Sequence, residues 1–553
     1  MPNLIFRTNK AINSHDFPNE SIVDLNLDYG KGIDYSFTEL VKQQLAQSRY
    51  TNIFIPLFIG DTFSDLLGLR FALHIRTTPT LNQCSNIFIY GTENYGTTRE
   101  HKLFDILKTK GVFLIDFSLG SIQKYLSNST SYLDPEFLAS ELSKINMEIP
   151  SNYEDDHSIA NEWAICRWSK VLGIEDDDIK GLTQRIDNQL YFKYLSYVYP
   201  TPESVDIEEE KLNIKSKGNI LYVDDEADKG WFEIFAHIVG DLNEIYIDEL
   251  GVDFKSLSKD DIIDKTLNKV IDDNIDLVIL DFRLTESDFF ANDITDITGF
   301  QLLKKLKSTN PGIQVLIFSA TNKVWNLQSL LRAGADDFIL KEGVHNSKMS
   351  DFTKNSIEKL VRSIDNLLRR KFLKEIFSNC KSIERSLRNQ LLDFQNDYSD
   401  FINELLLQLK VISSSAQNIE LSKTITQDVL FLNCYSFLEL YKKYYLREAD
   451  YQLVVGIDER EINRYKSSKG KIINDGKFIR NNSNDNPSWF NCMAALFIDY
   501  FGICEIDHSD IKSLNKVKNG RNNYIHGSKT HFNTNEVRVI MDLCVKIASS
   551  MKE

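Results

Sequence analysis

Short unbroken apolar runs recur along the first two thirds of the chain, and each is followed by a stretch with helical spacing. Asn52–Ile55, Asn86–Ile89 and Gly111–Ile115 form one such set. Ile220–Val223, Leu277–Leu280, Val315–Phe318 and Phe338–Leu340 form a second. Runs this short, alternating with longer amphipathic segments such as 158–172 and 182–197, predict parallel α/β units rather than hairpins. The pattern then changes. From Val344 to Val455 there is neither Gly nor Pro, which predicts a mostly helical region. In it Ile357, Leu360, Val361, Ile364, Leu367, Leu368 and Phe372 fall on one helical stripe, with Ser356 as its expected N-cap. The stripe is read either as a last helix packed on its own sheet or as a link into the next domain.

With 553 residues the chain is too long for one core. The expected division is an α/β domain over 1–200, a linker over 201–218 containing Pro202 and Glu208–Glu210, an α/β domain over 219–345, a connecting helix over 346–374 and an all-α domain over 375–553. No run is long and apolar enough to predict a membrane span, and the opening MPNLIFRTNK has no signal-like apolar segment. The seven cysteines show no CxxC spacing. A reducing cytoplasm is therefore the expected compartment.

Net charge is -16, which argues against indiscriminate nucleic-acid binding. The acidity sits in the first two thirds, since cations and acids nearly balance from Lys371 onward. Two stretches are basic: Arg464 to Arg480, and the acid-free run Ile511 to Asn535. Each reads as a solvated face or as a phosphate-binding surface.

The second set of strands carries the chemistry. Its carboxyl ends deliver Asp224 and Asp225, Asp281, Ser319 and Lys341 to one sheet edge, where ligands bind in parallel α/β sheets. Clustered carboxylates repel one another unless a cation joins them, and all-oxygen ligation favours Mg²⁺. Asp224, Asp225 and one oxygen of Asp281 would hold it, while the other Asp281 oxygen acts as a nucleophile towards phosphorus. Ser319 would bond a phosphoryl oxygen and Lys341 neutralise its charge. The motifs VDDE, LDFRL, FSA and LK resemble the receiver domain of two-component response regulators. The resemblance implies a flavodoxin-like parallel sheet, phosphotransfer to Asp281 from a histidine kinase or phosphotransfer protein, a Mg²⁺ requirement, and Phe338 in the place of the switch aromatic. Thr285–Thr298 is longer than that pattern expects, residues 247–262 look inserted, and Arg283 stands close to the acceptor.

The N-terminal strands fit the same template without its chemistry. Pro56 falls near the acceptor position, Gly91 near the serine and Asp116 near the lysine. This predicts a pseudo-receiver, a docking module unable to take phosphate. The apolar face of 158–172 (Ile159, Trp163, Ile165, Cys166, Trp168) is expected to be core.

Near the C-terminus, Arg521-Asn522-Asn523-Tyr524-Ile525-His526-Gly527 follows Asn519-Gly520, a turn signal. Arg offers a forked phosphate donor, His exchanges protons near neutral pH, and Asn522 adds an amide. These are the parts for cleaving RNA without a metal. The spacing resembles the RxxxxH motif of HEPN domains, helical bundles with many ribonuclease members. That resemblance implies a homodimer with a composite site around Arg521, Asn522 and His526, RNA as substrate and no cofactor there. On an ideal helix Arg521 and His526 would differ by about 140°, and His531 is a nearby alternative acid or base. The combined expectation is a response regulator with a ribonuclease output, in stress or phage defence. This resembles the logic of anti-phage two-component systems such as Detocs. The alternatives are an adaptor whose HEPN domain dimerises or binds a partner or nucleotide, and nucleotidyl transfer onto Tyr524 by another enzyme.

Overall fold

The structure is a computed structural model. It describes residues 2–8, 12–60, 66–91, 98–127, 133–150, 156–174, 176–199, 213–240, 245–320, 324–344, 351–393, 397–419, 425–449, 452–455, 460–461, 463–468, 471–477 and 487–551. Most of the expected linker therefore lies outside the described residues, as do Lys469 and Arg480 of the first basic stretch.

Two parallel five-stranded sheets share one topology. The first contains β1 (Leu4–Arg7), β2 (Ser21–Asp24), β3 (Asn52–Pro56), β4 (Asn86–Gly91) and β5 (Val112–Asp116). They lie in the order β2-β1-β3-β4-β5. Helices α1 (Ile33–Leu45), α2 (Leu67–Thr77) and α3 (Leu119–Leu126) flank it. The second sheet contains β6 (Gly218–Val223), β7 (Ile245–Glu249), β8 (Leu277–Leu280), β9 (Gln314–Ser319) and β10 (Asp337–Leu340), ordered β7-β6-β8-β9-β10. Counted from its own first strand, each sheet runs 2-1-3-4-5, the flavodoxin-like order.

Between the two sheets lie α4 (Asp156–Leu172), α5 (Asp177–Asn188) and α6 (Leu190–Val198). The expected helix 182–197 is thus two helices, because Gln189 takes an extended conformation. Ile159, Trp163, Ile165, Cys166 and Trp168 of α4 are all buried, as expected of a core face. They belong to one continuous apolar cluster that runs from β1 and β3 through α4 to β6, β8 and β9. Within it Trp168 meets Trp231 edge-on at 5.4 Å and Phe318 at 5.9 Å.

The second sheet is completed by α7 (Trp231–Val239), α8 (Lys259–Asp272), α9 (Thr298–Thr309), α10 (Val324–Arg332) and α11 (Phe352–Arg369). The stretch read as an insertion over 247–262 is partly regular structure. It ends β7, begins α8, and leaves only 250–258 as connection. The apolar stripe Ile357–Leu368 is buried on α11, which packs on β9 and β10. That helix starts at Phe352, before Ser356, with Asp351 in the N-cap position. It does not run on into the next helix: the chain turns at Arg370–Lys371 and α12 (Phe372–Asp393) begins. At that turn Gly312 lies so close that a Cβ on it would sit 2.3 Å from the Leu373 carbonyl carbon.

The C-terminal region has its own apolar core, built by α12, α13 (Asp397–Gln417), α14 (Ile425–Tyr445), α15 (Trp489–Ala495), α16 (Ser509–Ile525) and α17 (Thr534–Ser550). It is not all-α. Strands β11 (Leu446–Ala449), β12 (Gln452–Val455), β13 (Arg460–Glu461), β14 (Asn463–Ser468) and β15 (Lys471–Lys477) form two small antiparallel sheets. The end of the Gly-free and Pro-free stretch is therefore strand, and most of the first basic stretch is the β14–β15 hairpin. Among the described residues no helix is long and apolar enough to cross a membrane.

Candidate functional site

The register of the second sheet brings the expected residues together. Val223 pairs with Leu280 and the Asp281 amide donates to the Val223 carbonyl at 2.9 Å, so Asp224 and Asp281 leave adjacent strands side by side. Ser319 closes β9 opposite Leu340, and the Lys341 amide donates to the Ser319 carbonyl at 2.9 Å. Asp224, Asp281, Ser319 and Lys341 are buried, while Asp225 is half-buried. Phe338 lies half-buried against the core on the α9 side of the sheet.

Lys341 Nζ donates to Asp224 Oδ2 at 2.7 Å and to Asp281 Oδ2 at 3.0 Å. Burial alone would push the ammonium down; Asp224 and Asp281 more than reverse this and hold it above the ordinary lysine range. Its aliphatic and charged end also sits over Phe318 at 5.4 Å and Trp231 at 5.7 Å. Asp281 Oδ1 accepts from the Phe282 amide at 2.5 Å. Asp224 accepts from the Tyr222 hydroxyl and from the Glu226 amide.

One lysine leaves one acid over. Burial, then Asp281 and Asp224, push Asp225 up to about 8. An oxygen from each of Asp224, Asp225 and Asp281 lies within 4.8 Å of the other two. This donor set fits a hard divalent cation: all ligands are oxygen, and the nearby ammonium groups do not offset the burial and repulsion that hold Asp225 up. A second grouping, Cys504, His508 and Asp510, fits a metal less well, because burial pushes the Cys504 thiol up to about 11 and His508 Nδ1 already accepts from the Asp510 amide at 3.2 Å.

Two segments wall the cleft above the acids. The 250–258 connection faces the long turn after Asp281 across a volume of about 1030 Å³ that includes Asp225, Glu249, Asp253 and Glu286. That turn is held from below by Asp288, which is buried and accepts from the amides of Leu284, Thr285 and Thr298 and from Lys259 Nζ at 2.7 Å. Arg283 lies over the Phe289 ring at 4.9 Å, beside this cleft.

In the first sheet the same register carries none of this chemistry. The Phe117 amide donates to the Gly91 carbonyl at 2.9 Å, as the Lys341 amide does to Ser319. Phe117, not Asp116, therefore stands at the lysine position. Ile55 pairs with Ile89, and Ile5 with Phe54. Followed one step further in the first case and two in the second, these ladders put Pro56 at the Asp281 position and Arg7 and Thr8 at those of Asp224 and Asp225. Arg7 is paired with Asp24 at 2.6 Å. The register thus agrees with Pro56 and Gly91 and moves the third expectation by one residue.

The C-terminal motif lies at the end of α16. Asn519-Gly520 is helical rather than a turn, because Ile511, Leu514 and Val517 anchor the helix in the core and packing overrides the local signal. The helix ends instead at Gly527, whose φ of +74° favours glycine. Its amide donates to Tyr524 O at 3.1 Å and the Ser528 amide to Asn523 O at 2.9 Å, a Schellman closure. His526 is thereby the C-cap residue, exposed to solvent. Arg521 lies over the Tyr435 ring at 5.3 Å and donates to Asn522 Oδ1 at 3.4 Å. Arg521 and Asn522 thus share one helical turn, and His526 lies outside the helix proper.

Sequence reasoning did not find Tyr222, Trp231 or Glu342 around Asp281 and Lys341. Tyr222 precedes the acid pair in β6 and could have been found as a donor two positions away, on the same face of the strand. Glu342 follows Lys341 directly, but its partner lies far off in the chain.

These arrangements define two receiver-type units. Residues 7–115 match the family model described as Inactive Receiver domain. Residues 253–350 match that of the Response regulator receiver domain. The second match includes Asp281, Ser319 and Lys341; the acid pair on β6 precedes it. Similar solved structures include NtrX from Brucella abortus in complex with ADP, at 21% identity and a TM-score of 0.22, covering 36% of this chain and 34% of that one. The receiver domain of Francisella response regulator 1452 matches at 19% identity and a TM-score of 0.20, over 28% and 98% of the two chains. The receiver domain of NtrX from Brucella abortus matches at 25% identity and a TM-score of 0.18, over 26% and 98%. The chain thus spans about a third of the full NtrX chain it matches. No curated protein matches.

Proposed function

We propose that the chain is a phosphorylation-controlled response regulator with a metal-independent ribonuclease output of HEPN type, cytoplasmic and homodimeric through its C-terminal domain. A role in bacterial stress or phage defence suits such an output. The observation that carries the regulatory half is the buried Lys341 bridging Asp224 and Asp281 beside Asp225, which burial and its acidic neighbours hold up.

A kinase or phosphotransfer protein presents a phosphohistidine to the acidic cleft. An Asp281 oxygen forms a bond to phosphorus; the P–N bond breaks and the imidazole nitrogen keeps the electron pair. Mg²⁺, held by Asp224, Asp225 and Asp281, would supply charge neutralisation for the phosphoryl oxygens. Lys341 exchanges its contact with Asp281 for the phosphoryl group, which brings roughly -1.5 to -2 charge, and the Ser319 hydroxyl donates to another of its oxygens. Reversing a mostly inactive population needs about 5 kcal/mol of preference. One charge-assisted hydrogen bond supplies about 1.5–3 kcal/mol, so docking or dimerisation adds the remainder.

In the output domain, the Arg521 guanidinium beside Asn522 suits a phosphodiester, and exposed His526 suits proton transfer. Incubation of purified protein with total RNA, with and without an acyl-phosphate donor and Mg²⁺, tests the whole reading. Cleavage lost in a folded His526→Ala variant supports it. Phosphorylation of Asp281 without cleavage in any state supports the adaptor instead. Sizing the protein before and after phosphorylation tests the coupling.

A further inference from the structure

We propose that His531, oriented by the buried carboxylate of Asp428, is the second proton carrier of the C-terminal site. The inference rests on the ribonuclease reading above. Cleavage of RNA without a metal needs one group to take the 2′-hydroxyl proton and another to give a proton to the leaving oxygen. The motif contains a single imidazole per subunit, His526, so without a further group each subunit depends on the other's copy. The structure supplies another in the same subunit.

Asp428 opens the first turn of α14 and its side chain is 1% exposed, whereas that of His531 is 48% exposed. The carboxylate accepts from the Phe532 amide at 2.7 Å and contacts His531 Nδ1 at 2.9 Å. A carboxylate only accepts, so Nδ1 carries the hydrogen and Nε2 is the ring atom left for chemistry. This is the orienting role a carboxylate plays towards histidine in hydrolytic triads. The other ionisable groups around His531 are the Tyr524 hydroxyl, which also faces Asp428, and Lys529, paired with Glu536 at 2.6 Å.

The same helix relates this pair to the motif. Asp428, Phe431 and Tyr435 follow one another along one face of α14. Phe431 stacks on Phe532 at 3.7 Å, and Phe532 meets Tyr524 at 5.1 Å. Arg521 lies over Tyr435. Arg521 and His531 are thus anchored seven residues apart on α14, about 10 Å along its axis, a span that a phosphodiester with its flanking riboses fills.

His531 Nε2 takes the 2′-hydroxyl proton, and the 2′-oxygen forms a bond to phosphorus. The bond from phosphorus to the 5′-oxygen breaks, and protonated His526 gives its proton to that oxygen. Arg521 holds the non-bridging oxygens. The products are a 2′,3′-cyclic phosphate and a 5′-hydroxyl; no water, metal or redox partner is consumed.

The test uses the full chain, with and without Asp281 phosphorylation, on an end-labelled single-stranded RNA of mixed sequence. His531→Gln is expected to lower kcat by about 100-fold or more. Asp428→Asn is expected to lower it less and to move the acidic limb of the pH profile, which a merely loop-anchoring role would leave in place. Nitrogen NMR of the native chain is expected to show the Nδ1–H tautomer at His531, independently of any variant's folding. Activity within twofold in His531→Gln while His526→Ala is inactive would overturn this inference and leave the ribonuclease reading standing. So would an Nε2–H tautomer. No cleavage by the native chain in either state would remove both.

Discussion

Arg167 and Glu342 form a fully buried ion pair, Nε to Oε1 at 2.8 Å, with side chains 1% and 0% exposed. One partner comes from the helical layer that follows the inactive receiver, the other directly follows Lys341. Thr353, at the start of α11, donates to both Glu342 oxygens at 2.8 and 3.0 Å, and Arg167 Nη1 donates to the Tyr199 carbonyl at 2.8 Å. The residue next to Lys341 is therefore gripped by the N-terminal part of the chain.

Removing only one member should be severe. Arg167→Met leaves a buried carboxylate with the Thr353 hydroxyl as its partner, and a loss of about 3–5 kcal/mol is expected. Arg167→Met with Glu342→Met should recover most of it. Urea unfolding of the singles and the double measures the coupling. A double variant no more stable than Arg167→Met would show that the pair is not the cause.

Phosphoryl capture should depend on the acids in different ways. Asp281→Asn is expected to abolish radiolabel uptake from an acyl-phosphate donor. Asp225→Asn should keep the nucleophile and raise the Mg²⁺ concentration needed for half-maximal uptake by tenfold or more, since one or two carboxylates commonly anchor this ion. Chelation should silence the native chain. Uptake that survives in Asp281→Asn would place the acceptor elsewhere.

Lys193, buried between α1 and α2, makes stability depend on pH. It donates to Thr38 and Thr78 and lies 3.2 Å from His74 Nδ1. Burial drives it down to about 7, from the ordinary 10.5. Between these values the unfolded chain binds the extra proton and the folded chain does not, so stability rises with pH from about 7 to 10.5. Lys193→Met should flatten that rise in Tm. An equal slope in the variant would rule out Lys193 as its source.

Gly312 should not tolerate a side chain. A Cβ there would lie 2.3 Å from the backbone of Leu373, and neither segment has a flexible end that gives way. Gly312→Ala is expected to part the receiver from α12 and to expose Arg370–Lys371 to trypsin. The same seam is held by Asn310, which donates to Lys374 O at 2.9 Å and to Ser378 at 3.0 Å. Unchanged trypsin protection would show that the seam absorbs the clash.

Strands β3 to β6 and β8 to β10 were legible in the sequence, because a buried parallel strand needs an unbroken apolar run whatever surrounds it; β1, β2 and β7 were not found. That pattern gave Asp224, Asp225, Asp281, Ser319 and Lys341 in their places. Phe117 was missed by one position because period-two strands hide their register from the sequence. The break at Arg370–Lys371 carries no Gly or Pro, so no local signal marks it. Strands β11 and β12 close a stretch whose composition favours helix. Arg167 and Glu342, like Asp428 and His531, meet only after the whole fold has closed, and no local rule announces either pair.

The apolar cluster that runs unbroken from the first sheet into the second has a practical corollary. A receiver excised at the nominal linker would carry Trp231 and Phe318 as a raw aromatic wound where Trp168 had lain. The first half of the chain thus covers an apolar face of the second, and a receiver-type unit cut away from it would present that face to water and to other copies of itself.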